Sequence, residues 1–81
     1  MAGYHKDNIK KGKLGEWSKI EEEFNEAKDA YNQDNKIMLL LELSDLVGAI
    51  EEYAKKNNIS LNDIIKMKNA TTTAFETGHR K

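Results

Sequence analysis

The chain has 81 residues, 13 basic against 14 acidic for a net charge of −1, and neither cysteine nor proline. Such a length makes one small domain that buries only about 60–65% of its unfolded surface, and without cysteine neither disulfides nor thiolate zinc sites can staple it, which leaves self-association as the common remaining device. The charge balance excludes a nucleic-acid binder that relies on counterion release.

Residues 1–14 read as an irregular segment or a short turn. They hold Lys6, Lys10, Lys11 and Lys13 and no apolar stretch of the kind a secretory signal requires. Helix one is expected from about Gly15 to Tyr31, where Trp17, Ile20, Phe24, Ala27 and Tyr31 recur at helical spacing as one apolar stripe. The polar run at residues 32–35 breaks it, and Asp34 or Asn35 can cap the next helix.

Helix two is expected over residues 36–56. Met38, Leu39, Leu46, Ala49, Ile50 and Tyr53 make one apolar face, and Ile37, Leu40, Val47 and Ala54 lie mostly on the other. A helix apolar on two sides needs more than one neighbour, so it is the expected centre of the fold and a carrier of a subunit interface. Its apolar stretch is broken by two acids and is too short to span a bilayer, which takes about 20 residues.

Helix three opens on Ser60, an N-cap with Asp63 three residues on in a near capping box. Its stripe is Leu61, Ile64, Ile65, Thr72 and Phe75, and Gly78 sits where a glycine ends a helix. His79, Arg80 and Lys81 form a basic tail. The domain organisation is therefore an irregular segment (1–14), one helical domain (15–78) and the tail (79–81). The expected fold class is all-α, three main helices in a bundle completed by oligomerisation.

The acids carry the chemistry. Glu23 and Glu26 are three residues apart, and Glu42 and Asp45 repeat the spacing sixteen residues further on. Residues three apart share a helix face. With about 100° per residue, Met38, Leu46, Ala49 and Tyr53 fall within about 40° of Glu42, so Glu42 is near the centre of an apolar face with Asp45 beside it. A carboxylate removed from water must be paired, protonated or bound to a cation. Three readings exist for Glu42 and Asp45: solvated acids, which their apolar neighbours make the poorest; a buried ion pair with a lysine or arginine; or an all-oxygen site for Mg²⁺ or Mn²⁺. Glu21, Glu22 and Glu51 read as solvated acids with lysine partners one turn away.

Glu22-Glu23-x-x-Glu26 followed by Glu42-x-x-Asp45 resembles the signature of the MazG-like all-α nucleoside triphosphate pyrophosphohydrolases, which are related to dimeric dUTPases and phosphoribosyl-ATP pyrophosphohydrolase. The likeness runs from about Gly15 to Phe75, and Glu42-Leu43-Ser44-Asp45-Leu46 is similar to small phage-encoded versions. The resemblance implies Mg²⁺-dependent cleavage of a nucleoside triphosphate to a monophosphate and pyrophosphate. By motif it makes Glu23, Glu26, Glu42 and Asp45 metal ligands and Glu22 a ligand or the group that orients the attacking water, so that Glu22 and Glu23 are the catalytic pair. Lys68, inside the stripe of helix three, would contact substrate phosphate, and Asn69 the base or sugar; a snorkelling lysine is the other reading of Lys68. Where the family often has an arginine one turn later, this chain has Thr71, Thr72 and Thr73, and Arg80, Lys66 or a lysine of the N-terminal segment is the expected substitute, across a subunit interface. A catalytically weak nucleotide- or protein-binding module on the same scaffold is therefore the alternative. Expected partners are the nucleotide and further copies of the chain, with no nucleic-acid polymer and no membrane, in the cytoplasm (the host's, for a phage gene).

Overall fold

The computed structural model describes residues 8–78. The fold is all-α: α1 (Trp17–Asn32), α2 (Lys36–Lys56) and α3 (Leu61–Glu76), with no strand among the described residues. The basic tail lies outside that range, as do His5 and Lys6.

Each boundary has a local cause. Past the end of α1, the Asn35 N–H donates to the carbonyl of Ala30 and the Asp34 N–H to that of Tyr31. This is a Schellman closure with Asp34 in the left-handed conformation at φ 55°. Asn35 then opens α2, its side-chain oxygen accepting from the Met38 N–H at 3.0 Å. The same closure ends α2: Ile59 and Asn58 donate to the carbonyls of Ala54 and Lys55, with Asn58 left-handed at φ 58°. No glycine stands at either turn, because the short polar side chains of Asp and Asn tolerate this region better than other residues do. Ser60 caps α3 by accepting from the Asp63 N–H, and Gly78 follows the helix with φ 80°.

The turn at residues 33–35 folds α2 back along α1, and these two helices form the body of the molecule. Among the described elements α3 lies against α2 and not against α1. The buried apolar residues are few and mostly small: Ala27, Ala30, Met38, Ala49 and Ala54. Beside them lie five buried acids, Glu22, Glu23, Glu26, Asp29 and Glu42. The largest fully buried side chain is a carboxylate, that of Glu42.

The apolar stripe of α1 does not face inward as its periodicity predicts. Trp17, Phe24 and Tyr31 are 59%, 55% and 71% exposed. A helix with one neighbour buries one face, and α1 turns its acidic face with Ala27 and Ala30 toward α2. Trp17 keeps an edge-on contact with the Tyr53 ring, centroids 5.6 Å apart. On α2 the second apolar face is uncovered, with Ile37, Leu40 and Val47 all exposed. No residue of α3 is buried, and Ile65, Met67 and Phe75 are exposed. Among the described residues no helix is long and apolar enough to cross a membrane.

Candidate metal centre

Along α1, Glu22 and Glu26 are one turn apart, and Glu23 lies between them on the same side. Carboxylate oxygens of these three residues lie within 4.8 Å of one another. A second set, Glu23, Glu42 and Asp45, meets the same limit across the α1–α2 contact. Glu23 belongs to both. The two i, i+3 pairs thus come together, joined through the buried face of α1. Asp45 stands at the exposed rim rather than in the interior that its apolar neighbours in sequence suggest, because those neighbours are themselves largely uncovered.

Glu22, expected to be solvated, is 4% exposed. The cause is the segment preceding α1, which lies across it. The Gly12 N–H donates to Glu22 Oε1 at 2.8 Å, and Lys11 Nζ stands 3.5 Å from Glu22 Oε2. Lys19 Nζ bridges Glu22 Oε1 and Glu23 Oε2, each at 3.0 Å. Gly12 is required by close approach: a Cβ there would collide with the backbone carbonyl of Ser18. Gly12→Ala should therefore lift the segment and expose Glu22. The expected loss of about 1.5–3 kcal/mol is that of one buried hydrogen bond to a charged group, read as a lowered thermal midpoint. An unchanged midpoint would show that the segment does not hold Glu22.

The electrostatics follow from crowding. Burial alone raises the Glu22 carboxyl, but the Gly12 N–H, a hydrogen bond with Glu26 and the Lys19 ammonium outweigh it and bring Glu22 down to about 2. Glu26 moves the other way, to about 7: burial leads, followed by its hydrogen bond to Glu22 and the charges of Glu23, Glu42 and Glu22. Two carboxyls that hydrogen-bond to each other share a proton as the pH falls, and the opposite directions of the two shifts favour Glu26 as its holder. Desolvation, then the charge of Glu42, holds Asp45 above the ordinary carboxylate range. Lys19 is raised by its two acids against the opposing effect of its own burial.

This donor set fits a hard divalent cation. Every ligand atom is a carboxylate oxygen, and the buried Glu23 Oε1 has no hydrogen-bond partner. Three atoms on a triangle of 4.8 Å sides lie about 2.8 Å from its centre, against about 2.0–2.1 Å for a Mg²⁺–oxygen contact. Each side chain would move inward by less than about 1 Å. A cleft of about 350 Å³ lined by Lys19, Glu23, Ser44, Asp45 and Glu52 opens on the shared acid. That is at the small end of the range of roughly 300–1,000 Å³ for ligand pockets.

Lys68 and Asn69 are exposed on α3, which does not lie against α1. A single chain therefore does not bring them against the acids of that helix. Lys11, Gly12, Lys19 and Asp29 carry no motif that singles them out in the sequence. Lys19 has one weak signal, its three- and four-residue spacing to Glu22 and Glu23, and Asp29 another, its i, i+3 step beyond Glu26. Asp29 is satisfied by the Gln33 side chain at 2.9 Å and belongs to neither acidic set. No family model matches the chain, and neither the curated proteins nor the solved structures contain a match to it.

Proposed function

We propose that the chain is a Mg²⁺-dependent nucleotide pyrophosphohydrolase of MazG-like type, hydrolysing a nucleoside triphosphate to a monophosphate and pyrophosphate. The observation that carries the reading is Glu23, a buried acid shared by two carboxylate sets. Such a concentration of buried negative charge destabilises a fold unless a cation compensates it. Glu23, Glu26, Glu42 and Asp45 would hold the metal, Mg²⁺ or Mn²⁺. When bound, the metal supplies charge neutralisation for the phosphates and lowers the pKa of a coordinated water. Glu22, held ionised by Gly12 and Lys19, has the charge state of a group that accepts a hydrogen bond from the attacking water. The water's oxygen would form the new bond to phosphorus while the bond to the departing phosphate oxygen breaks, and the proton the water loses would pass to bulk solvent.

The uncovered faces of α1, α2 and α3 support a dimer or tetramer as the working form, and a second copy is the natural source of Lys68 and Asn69. The phage origin and cytoplasmic setting belong to the same reading. One observation favours the alternative of a weakly active or inactive binding module: α3 keeps both residues away from α1, and Thr71, Thr72 and Thr73 stand where a further cation would be.

The test is pyrophosphate release from a panel of nucleoside triphosphates with and without Mg²⁺. Glu42→Gln and Asp45→Asn should each abolish it, and wild-type activity in either would defeat the site assignment. Nucleotide binding in a calorimeter with no turnover at any Mg²⁺ concentration would favour the module.

A further inference from the structure

The segment before α1 is fixed in place although it is not helical. The Gly12 N–H donates to Glu22, the Lys13 N–H to Ser18 Oγ at 3.1 Å, and the Glu16 N–H to the Lys13 carbonyl at 2.9 Å. Gly12 packs against the Ser18 carbonyl, and Gly15 turns the chain into α1 at φ 89°. Held this way, the backbone delivers Lys11 to the edge of the buried acids. Its side chain is 72% exposed while that of Glu22 is 4% exposed. An ion pair with one partner so exposed adds little stability. What it fixes is position: a cation on a flexible stem, 3.5 Å from Glu22, in a polar cleft lined by Lys10, Lys11, Ser18, Glu21, Glu22 and Asn25, distinct from the cleft that opens on Glu23 and Asp45.

A lysine ammonium is a point charge suited to phosphate. Lys19 is not available for that role, since it is mostly buried and bridges two acids. Lys68 is on a helix that does not lie against α1. With a divalent cation held by the acids, the Lys11 ammonium would lose its attraction to Glu22 and be left for an anion on the solvent side.

We infer that Lys11, positioned by the Gly12 contact, binds the pyrophosphate portion of the substrate and thereby supplies the phosphate-binding cation that α3 does not bring to this site. The inference rests on the metal-dependent reading above, and its test separates the two. Full-length wild type, Lys11→Gln, Lys11→Arg and Lys68→Gln are titrated in a calorimeter, first with Mg²⁺ alone and then with inorganic pyrophosphate in saturating Mg²⁺. Lys11→Gln should bind Mg²⁺ at least as tightly as wild type, having lost a competing cation. It should bind pyrophosphate about tenfold more weakly, the loss of one charge-assisted contact. Lys11→Arg should restore binding to within about threefold, and the thermal midpoints should agree; Lys68→Gln reports separately on the phosphate contact that a second copy would supply. Wild-type pyrophosphate affinity in Lys11→Gln, or a loss confined to Lys68→Gln, overturns the assignment while leaving the metal site standing. Failure of the wild type to bind both Mg²⁺ and pyrophosphate overturns the proposed activity and this role together.

Discussion

Glu23→Gln should eliminate Mg²⁺-dependent turnover and weaken Mg²⁺ binding by more than about a hundredfold, beyond the 10–100-fold typical of losing an outer-shell partner. The expectation follows from position. Glu26 belongs to one carboxylate set and Glu42 to the other, whereas Glu23 belongs to both, so one substitution depletes each. Glutamine preserves shape and removes a charge from a buried crowd. It also removes one arm of the Lys19 bridge, so the metal-free melting curve of the variant is what separates a loss of binding from a loss of fold. The measurement is paired: isothermal titration with Mg²⁺, and thermal melting with and without the ion. Wild type should gain stability from Mg²⁺ by mass action while Glu23→Gln gains none. Equal stabilisation of the two proteins by Mg²⁺ would remove Glu23 from the site.

The second large effect is a reversal in the pH dependence of stability without metal. Glu22 is held at about 2 against an ordinary 4.5, so between those values the unfolded chain binds more protons and stability rises with pH. Glu26 is raised from 4.5 to about 7, so between those values the folded chain keeps a proton that the unfolded chain has released, and stability falls with pH. The metal-free protein should be most stable near pH 4.5 and weaker by up to about 3 kcal/mol at pH 7. For a domain of this size that is a fall in thermal midpoint of roughly 10 °C or more. Asp45 acts in the same direction as Glu26. Glu26→Gln should flatten the falling limb, and saturating Mg²⁺ should reverse it, because metal binding requires the deprotonated acids. A metal-free midpoint that climbs steadily from pH 5 to pH 7 would contradict the shared proton.

The helices were legible because their signals are local. The Asn35 and Ser60 caps, the break at residues 32–35 and the glycine at position 78 each act within one turn of backbone. The acidic pairs were legible too, through spacing alone. The orientation of α1 was not: an apolar stripe says that a face seeks cover, not whether the same chain supplies it. Trp17, Phe24 and Tyr31 look outward, and the acids with Ala27 and Ala30 look in. Glu22 reads as solvated in the sequence because its cover comes from ten residues earlier, through a glycine amide with no periodicity to betray it. The separation of Lys68 from α1 depends on how α3 leaves α2, a matter of tertiary contact that the helical wheel does not contain.

The thinness of the contact between α3 and α2 has a consequence for how the molecule comes apart. No residue of α3 is buried, while α1 and α2 share the interior. The chain thus has two opening free energies rather than one. The third helix can unlatch and re-dock while the acidic pair of helices stays closed, and amide exchange would begin there.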